Sequence, residues 1–266
     1  MNWAAAALLG VVQGLTEFLP VSSTAHLLIG ARLLGYSDPG GIFTVMIQLG
    51  SIVAIVWLYR VKILRVLAGL PSDREARHFV LMIVVAFLPA AIAGALFSGY
   101  VKRVLYTTPA VIAVTFVAGG LVMLAVERFR PAPVVLNADH TSLWRALGIG
   151  ACQTLALIPG VSRSGATIVG AMLLGLDRPA AAEFSFFLAI PTLGAAFAHD
   201  LLEARHSLSS GRVEEIAIGF IAAFIASAIV IEPFLAVVRR AGFVPFAWYR
   251  IVAGVLIFAA LLMGLL

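Results

Sequence analysis

Long apolar stretches are the feature that most constrains the fold of this chain. Six of them approach the ~20 residues that a helix needs to cross the hydrocarbon core of a bilayer. They cover residues 42–59, 79–99, 110–126, 181–198, 216–238 and 248–266. The stretches are continuous rather than alternating between apolar and polar residues, which favours helices over a β-barrel. The sequence therefore predicts an all-α polytopic membrane protein with six transmembrane helices.

Composition excludes several other classes of protein. Hydrophobic residues make up 62% of the chain and charged residues only 12%, whereas soluble domains have roughly 45–50% and about 25%. The net charge is +5, but the basic residues are scattered, so no nucleic-acid partner is expected. The only cysteine, Cys152, excludes a disulfide framework and a cysteine metal cluster. Residues 1–3 lack a basic region, so no cleavable signal peptide is expected.

Two further apolar segments are interrupted by polar residues and helix breakers. Segment 2–35 is broken by the run Phe-Leu-Pro-Val-Ser-Ser-Thr at 18–24, and segment 143–175 by Ile-Pro-Gly-Val-Ser-Arg-Ser at 158–164. Each half is too short for a full span, which predicts two re-entrant helix–loop–helix hairpins. Backbone that is broken at membrane depth is tolerated only where it lines a cavity within the protein. The two hairpins are therefore where a functional site is expected.

The two interrupted segments also resemble each other. With an offset of 140 residues, 9 of the 23 positions in 13–35 and 153–175 are identical. This indicates a first repeat at 1–127, a polar linker at 128–142 and a second repeat at 143–266, all within one integral-membrane domain. Each repeat would hold one hairpin and three spans, and an odd number of spans inverts the second copy relative to the first. The sequence thus predicts an inverted-topology repeat whose hairpins meet near the midplane.

Basic residues in the loops predict the orientation. Loops 60–77, 128–145 and 239–250, together with position 178, fall on one side and carry twelve Lys and Arg residues. The loops of the opposite side carry four, namely Lys102, Arg103, Arg205 and Arg212. Because cytoplasmic loops are enriched in Lys and Arg, both chain ends are expected outside the cytoplasm. The first hairpin would then enter from the outer side.

Glu17 is the residue that most strongly indicates a site in the first hairpin. A carboxylate in an apolar membrane segment is costly and by default functional, the alternative being a carboxylate that caps backbone near the surface. Gln13 lies one helical turn earlier, so the two side chains share a helix face. Beyond the break follow Ser22, Ser23, Thr24 and His26. Each alone would be an ordinary helix cap or a buried histidine, but together they favour a functional site.

The second hairpin supplies groups that bind anions. Gly160 follows a proline at the end of one helix and Ser162 can cap the next, so backbone N–H groups and a positive helix dipole face the break. Arg163 adds a guanidinium suited to phosphate or carboxylate. Further hydroxyl donors are Ser164 and Thr167. Arg163 could instead only pair with Glu17, but the surrounding donors exceed what one carboxylate needs. The two hairpins together match a phosphate ester carried on a lipid.

At these residues the sequence resembles the bacterial undecaprenyl-pyrophosphate phosphatases, the family named for bacitracin resistance. One family signature, Glu or Gln followed four residues later by Glu and then Phe-Leu-Pro-Val-Ser-Ser-Thr, stands at 13–24. The other, Pro-Gly-x-Ser-Arg-Ser-x-x-Thr, stands at 159–167. The resemblance covers essentially the whole chain. It departs only at Gln13, a residue that the pattern allows, and at Ala25, where glycine is common.

The resemblance implies hydrolysis of the C55 isoprenyl pyrophosphate to the monophosphate, which recycles the lipid carrier of cell-wall synthesis. Glu17 is then expected to be catalytic with Gln13 supporting it, and His26 and Ser23 are the candidate base and nucleophile. The substrate-binding set is expected to comprise Gln13, Gly160, Ser22, Thr24, Ser162, Ser164 and Thr167, with Arg163 as the catalytic arginine among them. Whether Ser23 attacks directly or His26 activates water stays open.

The resemblance also implies a cofactor and a location. A divalent cation, Mg²⁺ or Ca²⁺, is expected with Glu17 as its protein ligand, because such ions prefer oxygen ligands and keep several waters. The expected location is the bacterial inner membrane, with the site open to its outer side. The partners are the bilayer and the isoprenyl pyrophosphate, and a homodimer is left open.

A transporter or flippase for an isoprenyl phosphate or another anion is the alternative function. Inverted repeats with broken helices that meet at the midplane are the architecture of secondary transporters. A transporter needs binding groups at the breaks but no nucleophile beside a base. Glu17, Ser23 and His26 beside Arg163 therefore favour the enzyme.

Overall fold

A computed structural model describes residues 2–38, 41–104, 108–204 and 210–265 of the chain. Within these ranges the protein is helical, apart from a single parallel bridge between Val135 and Leu176. The α-helices are α1 Trp3–Thr16, α2 Ser23–Leu33, α3 Ile42–Leu58, α4 Arg60–Gly69, α5 Arg74–Val104, α6 Pro109–Phe129, α7 Leu143–Gln153, α8 Arg163–Leu173, α9 Arg178–Ala204, α10 Ser210–Ala241 and α11 Val244–Leu262.

Five helices of the described chain are long and apolar enough to cross a membrane: α5, α6, α9, α10 and α11. A sixth candidate arises if α3 and α4 are taken together, although a bend of 72° separates them. In α4, the exposed side chains of Val61, Leu64 and Leu67 recur every three residues between basic ones. The prediction of an all-helical polytopic membrane protein is confirmed at this level.

The short helices of the two interrupted segments have matching boundaries. α2 spans 23–33 and α8 spans 163–173, which is the sequence offset of 140 residues. The residues that precede them, Ser22 and Ser162, both have positive φ, at 67° and 73°. A positive φ is uncommon for a residue with a side chain, so the same unusual turn occurs at both breaks.

The two pairs of short helices, α1 with α2 and α7 with α8, approach each other from opposite ends of α10. At the beginning of α10, Glu215 accepts hydrogen bonds from the backbone of Asn2 (2.7 Å) and from the hydroxyl of Tyr36 (3.0 Å), which flank α1 and α2. Beyond the other end of α10, the Phe243 backbone donates to Glu127, which also pairs with Arg178 at the start of α9. We call this second end the linker end, because residues 134–135 pair there with 175–177, just after α8.

Close helix packing brings the first pair into the bundle. α1 packs along α10 and α3, and Gly10 and Gly14 face the α10 backbone so closely that a Cβ on either would collide with a carbonyl oxygen. Small residues allow this kind of approach where helices associate within a membrane. A larger core lies around Phe18, Phe184 and Phe186.

Among the described residues of the charge count, one is buried inside the bundle. Arg250, counted with loop 239–250, is fully buried within α11, because its guanidinium finds backbone acceptors inside the bundle. This removes one of the twelve basic residues, which leaves eleven on the linker side. Of the opposite four, Arg205 lies outside the described residues. The charge bias keeps its direction.

Candidate functional site

The two breaks contact each other directly. Ser164 at the start of α8 donates a hydrogen bond to the Leu19 carbonyl in the first break, at 2.8 Å. The NH2 group of Arg163 donates a hydrogen bond to Glu17 Oε1 at 3.0 Å. The two residues, 146 positions apart in the chain, form an ion pair. Both partners are largely shielded, with side-chain exposures of 10% and 4%. The tertiary fold therefore joins the two motifs into one polar cluster.

Glu17 is the centre of this cluster. Its Oε2 accepts hydrogen bonds from Ser23 Oγ at 2.6 Å and from Gln13 Nε2 at 2.8 Å. The amide oxygen of Gln13, Oε1, is buried and has no hydrogen-bond partner among the described residues. A hydroxyl that donates to a carboxylate at this distance has the geometry of a nucleophile beside its base.

Arg163 is held on its other side by α9. Its NH1 group donates to the backbone oxygen of Ser185 at 3.0 Å and also approaches the hydroxyl of that serine. Thr167 forms a 2.7 Å hydrogen bond with the same hydroxyl. Arg163 Nε is buried and without a partner in the described part of the chain. One guanidinium N–H of an arginine that lines the cavity is thus left without a hydrogen bond in the described protein, and guanidinium N–H groups are strong donors to anions.

The breaks differ in how their helix starts are capped. Ser162 caps α8 by accepting a hydrogen bond from the Gly165 amide at 3.1 Å and also contacts Ser164, whereas the Ser22 side chain makes no cap bond to α2. The first N–H groups of a helix are orphan donors that attract anions. The first backbone N–H groups of α2, where Ser23 lies, therefore receive no hydrogen-bond acceptor from the Ser22 side chain.

A cavity of about 580 Å³ lies beside the cluster. Its polar part is formed by Glu17, Arg163, Ser162 and residues 22–24. Its apolar part lies between α5 and α9 and is lined mostly by small residues such as Ala90, Ala91, Gly94, Ala195 and Ala196. His199 and Asp200, near the end of α9 that leads into α10, also line it. The cavity thus combines a polar region at the two breaks with an apolar region that extends towards the end opposite the linker end.

Not every predicted site residue points into this cavity. His26 Nδ1 donates to the Ser22 carbonyl at 2.8 Å, so in the neutral ring Nε2 accepts from the Tyr249 hydroxyl at 2.5 Å. The ring also stacks on Tyr249, with 5.7 Å between centroids. Gln13, Ser164 and Thr167 do not line the cavity. Gln13 is fully buried against Glu17, while Ser164 and Thr167 donate to backbone oxygens of Leu19 and Arg163. Ser22, Ser23, Thr24, Gly160 and Ser162 do line the cavity.

Three residues that sequence reasoning missed contact this region. Ser185 on α9 supports Arg163, and Tyr249 supports His26. Arg250 donates to backbone oxygens of both breaks. The sequence had a signal for Ser185, because Phe184-Ser185 resembles Phe43-Thr44, which stands 141 residues earlier in the first half. No comparable pattern marks Tyr249 or Arg250.

Comparisons with known proteins agree on one family. A family model described as "Bacitracin resistance protein BacA" matches residues 6–256. The chain is 47% identical to an undecaprenyl-diphosphatase of Cereibacter sphaeroides over 259 residues, which is 97% of each protein. It is 49% identical to undecaprenyl-diphosphatase 1 of Agrobacterium fabrum over 257 residues, covering 97% of this chain and 96% of the relative. An undecaprenyl-diphosphatase of Paracoccus denitrificans is 47% identical over 263 residues, covering 99% and 98%.

Proposed function

The chain belongs to the bacitracin resistance protein BacA family, and on that premise we propose how its two breaks act as a phosphatase site. Its function is that of an undecaprenyl-diphosphatase, which hydrolyses the C55 isoprenyl diphosphate (pyrophosphate) to the monophosphate and phosphate and so confers bacitracin resistance. The observation that carries the site assignment is the contact of Ser23, Glu17 and Arg163 at the edge of the cavity.

Ser23 is the nucleophile in the mechanism that we propose. The Glu17 carboxylate takes the hydroxyl proton while Ser23 Oγ attacks the terminal phosphorus. As the Oγ–P bond forms, the bridging P–O bond breaks and undecaprenyl phosphate leaves with the electron pair. Water then displaces Oγ from phosphorus and keeps its own protons on the released phosphate, while Glu17 returns its proton to Ser23. The 2.6 Å hydrogen bond between the two side chains supports both proton transfers.

Arg163 and the start of α2 bind the diphosphate in this proposal. Diphosphate oxygens compete with Glu17 for the guanidinium, whose buried Nε has no protein partner. The amide groups at the beginning of α2 add donors for the phosphoryl oxygens, where negative charge is concentrated during transfer. The isoprenyl chain lies along the apolar part of the cavity between α5 and α9, because polar walls cannot solvate it.

A divalent cation, Mg²⁺ or Ca²⁺, fits this site only together with the substrate. Glu17 and the unpartnered Gln13 Oε1 are hard oxygen donors of the kind these ions prefer. The described residues contain no group of three or more His, Cys, Asp or Glu that could hold an ion alone. When bound with diphosphate, the ion would neutralise charge on the phosphoryl oxygens. Glu17 and Gln13 are the residues that would hold it.

Replacing Ser23 by alanine is expected to reduce kcat about 10³-fold, because no side-chain oxygen remains to attack phosphorus. The measurement is phosphate release from undecaprenyl diphosphate by the purified variant in detergent. Ser72→Ala, at an exposed serine of the α4–α5 connection, is the control and should retain full kcat. Phosphoserine trapped on the wild-type protein by rapid acid quench would support the covalent step. Wild-type kcat in Ser23→Ala would contradict it in favour of attack by water.

His26 is expected to position Ser22 rather than to take a proton from Ser23. Asparagine offers an N–H near the place of Nδ1, so His26→Asn should retain more kcat than His26→Ala by about 10-fold, since it keeps the bond to the Ser22 carbonyl. The pH–rate profile of the asparagine variant should keep the acid limb of the wild type. If alanine and asparagine lose kcat equally and both lose that limb, His26 is the base.

We propose an inverted-topology repeat of six spans and two re-entrant hairpins in the bacterial inner membrane, with the site open to the periplasmic side. Support comes from the matching breaks at 22 and 162, the opposite approach of the two helix pairs, and the excess of basic residues at the linker end. The cavity extends away from that basic end, towards His199.

Cysteine labelling in intact cells tests this orientation. In a Cys152→Ser background, Arg74→Cys at the linker end should react with a membrane-impermeant thiol reagent only after the cells are opened. Val213→Cys, exposed near the beginning of α10, should react from outside. Labelling of both positions from the same side would contradict the proposed topology, and exchanged sides would reverse the orientation of the site.

A further inference from the structure

Arg250 is the largest fully buried side chain in the described part of the protein. A charged group at membrane depth costs several kcal/mol unless other groups compensate it. Among the described residues no carboxylate lies within ion-pair distance of this guanidinium. Its compensation comes from three backbone carbonyls and from the face of Phe116, 5.0 Å from the guanidinium carbon. A buried charge that is held by carbonyls and an aromatic ring, without a carboxylate partner, requires a reason beyond stability.

The three carbonyls belong to both breaks and to the helix beside them. NH1 donates to the Pro20 oxygen at 3.2 Å, and NH2 donates to the oxygens of Gly160 at 2.8 Å and Thr115 at 2.9 Å. Pro20 and Gly160 are 140 residues apart, so they occupy the same position in the two halves of the chain. One guanidinium therefore joins equivalent carbonyls of the two broken segments.

The two equivalent carbonyls, those of Pro20 and Gly160, each lie three residues before a side chain of the site. Pro20 precedes Ser23 by three residues, and Gly160 precedes Arg163 by three. In both intervals the chain passes through the serine with positive φ and then enters a helix. Holding the two carbonyls together thus fixes where α2 and α8 begin relative to each other.

We infer that Arg250 is a positioning residue for the phosphatase site, which holds Ser23 and Arg163 in register by bridging the Pro20 and Gly160 carbonyls. The inference rests on the proposed function. Two separate guanidinium nitrogens reach three acceptors at once, which one lysine ammonium on a flexible stem does not reproduce. Gly119 on α6 provides the space, because a Cβ there would collide with NH2 of Arg250.

Arg250→Met tests the bridge, because methionine fills the volume without donors. We expect kcat for undecaprenyl diphosphate to fall about 10²-fold while KM changes little, since small displacements of reacting groups have effects of this size. In a Ser23→Ala background the same substitution should cost much less. Multiplicative losses in the double variant would show that Arg250 acts independently of Ser23 and would overturn the inference.

Two further variants complete the experiment. Arg145→Met removes another arginine that donates to a backbone carbonyl, that of Leu174 at the linker end, and should leave kcat unchanged. Gly119→Ala keeps Arg250 but displaces its guanidinium, so it should also lower kcat. If Arg250→Met does not fold, this variant tests whether Arg250 positions the site. Wild-type kcat in a folded Arg250→Met or in Gly119→Ala overturns the inference. If the wild-type protein released no phosphate from undecaprenyl diphosphate, that result would instead contradict the proposed function.

Discussion

Replacing Glu17 by glutamine is expected to lower kcat about 10³-fold, in line with the loss of a catalytic base. The amide keeps the size of the side chain but cannot take the proton of Ser23, whose hydroxyl donates to Glu17 Oε2 at 2.6 Å. It also weakens the oxygen pair with Gln13 that we propose for the divalent cation. The measurement is phosphate release from undecaprenyl diphosphate at saturating Mg²⁺ or Ca²⁺.

The control for Glu17→Gln is Glu127→Gln, which breaks a second buried ion pair elsewhere in the bundle. Glu127 is equally shielded, with a side-chain exposure of 4%, and pairs with Arg178 at the linker end. Breaking either pair leaves a partly buried arginine unpaired, so both variants should unfold at a lower temperature. Only Glu17→Gln should lose kcat in the protein that remains folded. Equal losses of kcat in both variants would mean that Glu17 has a structural role alone.

Arg163→Lys is expected to lose about 10²–10³-fold in kcat although the charge is kept. The guanidinium donates to Glu17 through NH2 and to Ser185 through NH1, and its buried Nε has no protein partner among the described residues. A lysine ammonium is a single point charge on a flexible stem and does not hold these three directions together. Phosphate release by the purified variant measures the loss, and gel filtration establishes that it is folded.

Arg178→Lys provides the comparison for Arg163→Lys. Arg178 donates to Glu127 through Nε and NH2, so its replacement also removes a two-nitrogen contact with a carboxylate. Because that contact lies at the linker end, kcat should stay within the range of the wild type. Wild-type turnover in Arg163→Lys would show that binding of the diphosphate does not depend on the guanidinium.

Much of this architecture follows from local sequence signals. Apolar runs of span length, the Pro and Gly residues at the breaks and the clustered serines are properties of neighbouring residues, and they set helices and interruptions without reference to the rest of the chain. The helix boundaries agree with this: α2 and α8 begin within the last two residues of the interrupting runs, at Ser23 and Arg163. Glu17 and Arg163 could be selected because charge inside an apolar segment is costly wherever the segment packs.

The roles of His26 and Arg250 depend on packing between distant segments. The family resemblance made His26 the candidate base, but its ring is held by the Ser22 carbonyl and by Tyr249 on α11. Arg250 follows a basic loop and was counted with it, yet three carbonyls accept its hydrogen bonds inside the bundle. Neither partner set is visible in the residues beside His26 or Arg250.

The sequence by itself determined that the chain is a helical membrane protein with two matching breaks, and it determined which polar side chains lie at them. The tertiary structure alone decided that Ser23 faces Glu17, that Ser185 supports Arg163 and that Arg250 joins the two breaks. The physical reason lies in the range of the interactions. Helix formation and helix breaking depend on residues within a few positions, whereas a hydrogen bond from α11 to Pro20 spans 230 residues and forms only when the helices have packed.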